Sequence, residues 1–312
     1  MPKGDLRTFD EGDFDGSLEV QSFRGIPLDN VKRSVGYAFE LEKKPAKLYI
    51  IASTERDLKS MPKLRIWVND FSLSKEFKPN IELIEDRRAL STIIYDISPF
   101  GKEGKNELSF VKSSMDPLSL LSLVVVAFYP DQDIKTKYSL DAGMMILREN
   151  ENLELESIGR GILVMGGRNG SARILTERNN YFSSYYNYES DEVEIHDGGK
   201  VNVISESEYI AIMFYGTFST KSPEIRLNPQ LSTKDGNLLV YVKNESEVPL
   251  DKVIMNLTVN GITKFFKVYS SVSPNQELSE KVMQLTNGVT NVNLRVVGIK
   301  SGMRVVIDRP LG

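Results

Sequence analysis

Short segments in which apolar and polar residues alternate recur along nearly the whole chain, and this recurrence constrains the fold most. In residues 35–41 the apolar side chains occupy every second position: Val35, Tyr37, Phe39 and Leu41. A period of two residues is typical of a strand with one buried face. Turn signals rich in Gly, Asn and Asp separate such segments, and helical periodicity is weak, with one short helix predicted over residues 81–90. We therefore predict an all-β fold.

The length of 312 residues fits about two domains. A polar stretch at residues 219–223 marks the boundary, because the spacing of the strands resets after it. We predict an acidic N-terminal arm over residues 1–22, a jelly-roll-like β-sandwich over 23–220 and a smaller immunoglobulin-like β-sandwich over 224–312. The last segment is expected to fold as an isolated fragment.

Composition narrows the chemistry. The chain has no cysteine and a single histidine, His196, so disulfides, thiolate nucleophiles and Cys/His metal sites are not expected. We predict no cofactor. A net charge of −4 and a pI near 5.4 argue against a nucleic-acid-binding protein. Carboxylates are abundant, but no spacing isolates a catalytic pair, and no catalytic residue is predicted.

Nothing in the sequence indicates a membrane anchor. The first residues are polar and lack the apolar stretch of a signal peptide, and no apolar run reaches the ~18 residues of a spanning helix. We expect a soluble chain without a membrane span. A cytoplasmic location is therefore left open.

Two elements of the first predicted sandwich resemble a known family. Residues 95–108 (YDISPFGKEGKNEL) resemble a conserved element of galactose-binding-like jelly rolls, which sugar-binding domains of glycosidases also carry, and residues 64–70 (LRIWVND) resemble the hairpin that precedes it. Residues 122–143 are similar to the next strand in a prokaryotic surface-protein family of unknown function. Within the prokaryotes, the resemblance favours an archaeal origin. The resemblance implies a jelly roll and says little about function.

The C-terminal segment resembles a second family. Residues 238–246 (LLVYVKNES), 259–261 (VNG) and 272–276 (VSPNQ) are similar to the corresponding elements of bacterial and archaeal adhesion-type immunoglobulin-like modules. Such modules are spacers or adhesion units outside cells. The resemblance therefore favours an extracellular or cell-surface location.

Residues 179–188 (NNYFSSYYNY) are the stretch most unusual in composition. Tyrosine mixed with Asn and Ser gives rigid amphipathic area and adaptable hydrogen bonding, which is typical of recognition surfaces. The same composition also fits a segment that packs its rings back onto the sandwich. As ligand-binding candidates we name Asn180, Tyr181, Tyr185, Tyr186, Asn187 and Tyr188.

The acidic N-terminal residues offer a weak calcium candidate. Asp10, Asp13 and Asp15 lie close in sequence, but Ser22 stands where the bidentate glutamate of an EF-hand belongs. Structural calcium at these three residues and a solvated arm that binds no metal are the two alternatives.

Three functional hypotheses remain open. The leading one is a non-enzymatic binding or structural protein at the cell surface that recognises carbohydrate or a protein partner. The second is a glycoside hydrolase that uses paired carboxylates. The third is an intracellular or viral structural assembly subunit.

Overall fold

The computed structural model describes residues 1–74, 77–167, 169–186, 189–284, 291–300 and 303–311. The chain divides into two compact units, Met1–Thr220 and Lys221–Gly312. Within the described ranges the regular structure is strand, apart from a 3₁₀ turn at Ser98–Phe100, so the predicted all-β fold class is confirmed. No helix in those ranges is long and apolar enough to span a bilayer.

The first part of the chain forms the strands of the N-terminal unit. They are β1 (Lys3–Leu28), β2 (Ser34–Leu41), β3 (Lys47–Asp57), β4 (Leu64–Val68), β5 (Phe71–Ser74), β6 (Ile81–Glu85), β7 (Arg88–Asp96), β8 (Gly104–Lys112), β9 (Leu118–Arg148), β10 (Asn152–Ser157), β11 (Arg160–Gly166), β12 (Asn169–Leu175), β13 (Asn180–Tyr186), β14 (Ser190–Ile195), β15 (Gly199–Ser205) and β16 (Tyr209–Lys221).

A long antiparallel ribbon of β1 and β9 runs through this unit and bends once. The register places Asp15 opposite Lys135 but Gly16 opposite Pro130, so β9 carries extra residues at this point. Such an insertion bends a strand pair. Gly16 has a φ of 152°, and a Cβ there would lie 2.0 Å from the Tyr129 carbonyl oxygen. Only glycine fits this corner.

The part of the ribbon in which residues 16–28 of β1 pair with residues 118–130 of β9 belongs to one jelly roll. Its two sheets have the orders β1-β9-β3-β7, extended at the edge by β6, and β2-β8-β4-β5. The first and last strands of the motif are neighbours, as the jelly-roll fold requires. The jelly roll predicted from residues 64–70 and 95–108 is therefore present.

The other part of the ribbon, in which residues 135–146 of β9 pair with residues 3–15 of β1, begins a second jelly roll. Both edges of the first half of β9 are occupied by β1 and β3, so β16 pairs with the second half. The resulting sheets, β9-β16-β11-β14 and β10-β15-β12-β13, repeat the strand order of the first jelly roll. The sequence predicted one sandwich over residues 23–220. The structure instead has two jelly rolls of the same topology in the N-terminal unit.

Three hydrophobic cores separate four layers. We call β2-β8-β4-β5 the first outer sheet, β10-β15-β12-β13 the second outer sheet, and the bent sheet that contains β9 the inner sheet. One core fills the first jelly roll and another fills the second. The middle core, which includes Phe128 and Leu140, joins the two halves of the inner sheet. The outer faces of the two outer sheets therefore lie on opposite sides of the unit.

Two local predictions are wrong. The predicted arm over residues 1–22 is instead part of β1, because β9 supplies its backbone partners and because Phe14 and Val20 pack against the middle core. The helix predicted over residues 81–90 is instead the hairpin of β6 and β7. Asp86 adopts a positive φ of 55° at its turn, which a helix does not allow.

The C-terminal unit is a smaller sandwich with its own core. Sheets of three and four strands have the orders β17-β18-β21 and β20-β19-β22-β23. The predicted Asn260-Gly261 hairpin turn is confirmed, since both residues have positive φ angles of 49° and 79°. The strands are β17 (Leu227–Lys234), β18 (Asn237–Asn244), β19 (Leu250–Val259), β20 (Ile262–Val272), β21 (Glu277–Gln284), β22 (Val292–Lys300) and β23 (Met303–Pro310).

Candidate functional site

A groove of about 530 Å³ crosses the outer face of the first outer sheet. The one tryptophan of the chain, Trp67, lines it from β4 and is half-buried. The strand register places Gly36, Ser109 and Trp67 in one row across three strands, and Ser72 continues the row on β5. Small side chains beside a large ring leave a trough with one aromatic wall.

The floor of the groove is open because its residues are small. Ala38 lies next to Gly36 on the same face of β2, and a Cβ at Gly36 would meet no atom closer than 3.9 Å. Larger side chains would therefore fit the backbone and fill the trough. The trough is open because residues 36 and 38 have small side chains, and not because the backbone excludes larger ones.

A pair of asparagines, of which Asn106 is buried, holds one end of the groove. The Asn69 amide nitrogen donates to the Asn106 side-chain oxygen at 2.8 Å and to the Phe100 carbonyl at 2.9 Å, and the Asn69 side-chain oxygen accepts from the Glu107 amide at 2.9 Å. Asn69 and Asp70 have positive φ angles of 45° and 69°, which form the tight turn between β4 and β5. The turn that presents Trp67 is therefore fixed from beneath.

Asn106 is fully buried and connects this turn to the preceding loop. Its side-chain nitrogen donates to the carbonyls of Lys102 at 2.7 Å and Gly104 at 2.9 Å, and its oxygen accepts from the Lys102 amide at 3.0 Å. Each polar atom of the amide thus has partners. The asparagine of the family-like element at residues 95–108 has a structural role here.

Side chains of ionisable residues lie at the rim of the groove. Lys105 donates to Glu107 at 2.9 Å, and this hydrogen bond holds the pKa of the Glu107 carboxyl below its ordinary value. Asp70 lies at the turn, and Arg65 is exposed on the same strand as Trp67. A catalytic acid of a glycosidase needs a raised pKa instead. The rim therefore offers hydrogen-bond partners, and Glu107 lacks the raised pKa of such an acid.

The predicted aromatic segment forms strand β13 rather than a loop, which splits the candidate residues between two faces. Asn180 and Tyr186 are exposed, Tyr186 at 64%, whereas Tyr185 is 2% exposed and packs in the core of the second jelly roll. Tyr181 is partly buried against the same core, and its hydroxyl oxygen accepts a hydrogen bond from the His196 backbone amide at 3.2 Å. Asn187 and Tyr188 lie outside the described residues.

This split corrects part of the prediction. Successive side chains of a strand point to opposite faces, so neighbouring tyrosines cannot share one ligand surface. Tyr185 is a core residue. Tyr186 is joined on the exposed face by Phe182, which the prediction did not name and which is 62% exposed.

The calcium candidate is not assembled. The Asp10 carboxylate serves as an acceptor within the protein, and Asp15 lies 3.8 Å from Lys135 Nζ while Asp13 is exposed on the strand. Within the described ranges no group of three or more His, Cys, Asp or Glu side chains is placed to hold a metal. The donors to Asp10 are Lys47 Nζ at 2.8 Å, Tyr49 Oη at 2.9 Å and Tyr138 Oη at 3.0 Å.

A second cavity of about 530 Å³ lies where the two jelly rolls meet. Three of its charged side chains are in ion pairs: Glu85 accepts from Lys3 and Arg148, and Arg88 lies 3.2 Å from Glu55. The hydrogen bond from Lys3 is the main cause of the lowered pKa of Glu85. These groups tie strands together, so we regard the Trp67 groove as the better candidate for a binding site.

Comparison with known proteins gives no family. No protein-family model matches the chain, and no curated protein matches it. Among solved structures, the chain is similar to a β-glucuronidase from Ruminococcus gnavus (9% identity, TM-score 0.21, 55% of this chain and 36% of that one). It is also similar to a β-D-glucuronidase for Dictyoglomus thermophilum (10%, 0.22, 89% and 36%).

A third similar structure is the protein YhaK from Escherichia coli (11% identity, TM-score 0.32, 68% of this chain and 92% of that one). The chain spans about a third of the length of the two glucuronidases. At these TM-scores the similarities do not bear on function.

Trp67 was missed as a site residue, although the sequence carries a signal for it. Leu64, Ile66 and Val68 alternate as the buried side of β4, so Trp67 must lie on the other side. A tryptophan at an outward position of a strand lies on the face away from the core. What the sequence could not give is the small residues that neighbouring strands place beside it.

Proposed function

We propose that this chain is a non-enzymatic carbohydrate-binding protein and that the Trp67 groove receives a sugar ring. The observation that carries the proposal is the half-buried ring of Trp67 beside an open trough with hydroxyl and carboxylate groups at its rim. The apolar face of a pyranose packs on an indole, while its hydroxyls pair with polar groups around it. Ser109, Asp70 and Glu107 are the partners available within the groove.

Binding without chemistry fits the rim better than hydrolysis does. The hydrogen bond from Lys105 lowers the pKa of Glu107, and Glu85 of the second cavity accepts from Lys3 and Arg148. We therefore place the hydrolase hypothesis second. A jelly roll by itself does not decide between them, since the fold serves lectins, capsids and enzymes alike.

For the C-terminal unit we propose an immunoglobulin-like spacer, as its resemblance implies. Seven strands in sheets of three and four match the size of that architecture. A cell-surface location is part of the same proposal, because spacers of this kind present binding domains outside cells.

The test is a glycan array probed with the wild-type chain and with Trp67→Ala. Truncation of a stacking aromatic in a binding site costs about 2 kcal/mol, so we expect about a 30-fold loss of affinity for the glycans bound. Trp67→Phe keeps a ring and should retain most of the binding. Ala38→Leu leaves Trp67 in place but fills the trough, and it should also lose binding.

Tyr241→Ala is the matched control, because Tyr241 is a 36% exposed aromatic in the C-terminal unit. It should bind as the wild type does. If the wild-type chain binds no glycan, or if Trp67→Ala binds as well as the wild type while folded, the proposal is wrong.

A further inference from the structure

The second outer sheet is the counterpart of the first. Its order β10-β15-β12-β13 repeats β2-β8-β4-β5 strand for strand. In both jelly rolls the third and fourth strands of this sheet form a hairpin, β4 with β5 and β12 with β13. Trp67 projects from the first hairpin, and Phe182 projects from the equivalent one.

The outer face of the second outer sheet exposes two aromatic rings. Phe182 and Tyr186 are 62% and 64% exposed, and both lie on the face of β13 that points away from the core. The inward positions of the strand carry Ser183 and Tyr185 instead. These exposures are larger than a ring that packs onto its own sheet would have, so the self-packing alternative does not apply to Phe182 and Tyr186.

Polar side chains accompany these rings across the sheet. The register aligns Phe182 with Arg173 and Ile204, and it aligns Asn180 with Leu175 and Asn202 in the adjacent row. Guanidinium and amide groups next to exposed rings are the combination that sugar hydroxyls need. This face therefore shares with the groove the presence of aromatic rings beside polar side chains.

One polar atom on this face lacks a partner. The side-chain oxygen of Asn202 is buried and has no hydrogen-bond partner within the described residues. Val201 and Val203 point into the core, so Asn202 belongs to the outer side of β15. A buried acceptor without a partner is costly, so rotation of the Asn202 side chain toward the outer face would let a ligand hydroxyl satisfy it.

We propose that the outer face of the second outer sheet is a second carbohydrate-binding face, equivalent to the Trp67 groove, with Phe182 and Tyr186 as its stacking residues. This inference rests on the proposed function of the groove. The two faces lie on opposite sides of the N-terminal unit, so one oligosaccharide cannot reach both. Each protein molecule instead engages two glycan chains and cross-links them.

The experiment is isothermal titration with a hexasaccharide. The probe is whichever of cellohexaose, chitohexaose and laminarihexaose binds the wild-type chain most tightly. We expect two sites on the wild type and one each on Trp67→Ala and on the double variant Phe182→Ala/Tyr186→Ala. The remaining site of each variant should keep its affinity within about twofold, since distant sites are independent. A variant with all three substitutions should have none.

The outcomes separate the two proposals. If the wild type binds none of the three probes, the function proposed for the groove fails and this inference fails with it. If the wild type has one site, which Trp67→Ala removes and Phe182→Ala/Tyr186→Ala does not, the groove stands and the second face is refuted. Circular dichroism of each variant checks the fold, and Tyr241→Ala should retain both sites.

Discussion

Replacement of Phe128 by alanine should lower the free energy of unfolding of the N-terminal unit by about 4 kcal/mol. Phe128 is fully buried in the middle core, where its ring lies 5.2 Å from that of Phe14 and 4.8 Å from that of Tyr138. Lys47 Nζ lies 5.3 Å from the same ring centre. The substitution leaves a cavity between the two jelly rolls, which the surrounding strands cannot close.

Urea unfolding followed by circular dichroism measures this loss. Phe182→Ala is the matched control, because the same residue type is exposed there, and it should change stability by no more than ~0.5 kcal/mol. If Phe128→Ala does not fold, Phe128→Leu should still cost about 1 kcal/mol. A folded Phe128→Ala chain as stable as the wild type would contradict the packing of the jelly rolls through the middle core.

Replacement of Asn106 by alanine should cost about 3 kcal/mol, because it removes four hydrogen bonds from a fully buried site. The carbonyls of Lys102 and Gly104 and the backbone amide of Lys102 would lose these hydrogen bonds, and the side-chain nitrogen of Asn69 would retain its bond to the Phe100 carbonyl. Asn69 fixes the turn beside Trp67, so we also expect weaker binding at the groove in any Asn106→Ala chain that folds.

Thermal unfolding and binding to the array check both effects. Asn180→Ala is the control, since Asn180 is an exposed asparagine on β13. It should leave the melting temperature unchanged. A stable Asn106→Ala chain would show that the loop at residues 101–104 is held by other contacts, which contradicts the role assigned to this asparagine.

The strands were predictable because they depend on local alternation and turn residues, and the jelly-roll class followed from the resemblance of residues 64–70 and 95–108 to a known family. The duplication was not. The two jelly rolls share strand order rather than sequence pattern, and β9 runs from one into the other without a turn signal beyond residues 130–133. Which strand halves pair is decided by contacts between residues far apart in the chain, such as Gly16 with Pro130.

In the candidate site, too, some features follow from local sequence and others depend on residues far apart in the chain. The direction of Trp67 follows from its neighbours on β4, but the groove needs Gly36 and Ser109 on other strands. Residues 179–188 were treated as one recognition segment, whereas strand geometry sends Tyr185 inward and Tyr186 outward. With aromatic residues at both kinds of position, the sequence alone could not decide which face is buried.

The most direct test of the central claim uses the fluorescence of Trp67, the one tryptophan of the chain. Its emission reports on the groove alone, without a label. Titration with the hexasaccharide that binds most tightly should shift the emission to shorter wavelength and saturate with the affinity of the groove site, because a stacked sugar displaces water from the ring. An emission spectrum that stays unchanged while calorimetry records binding would place the ligand away from Trp67 and contradict the account.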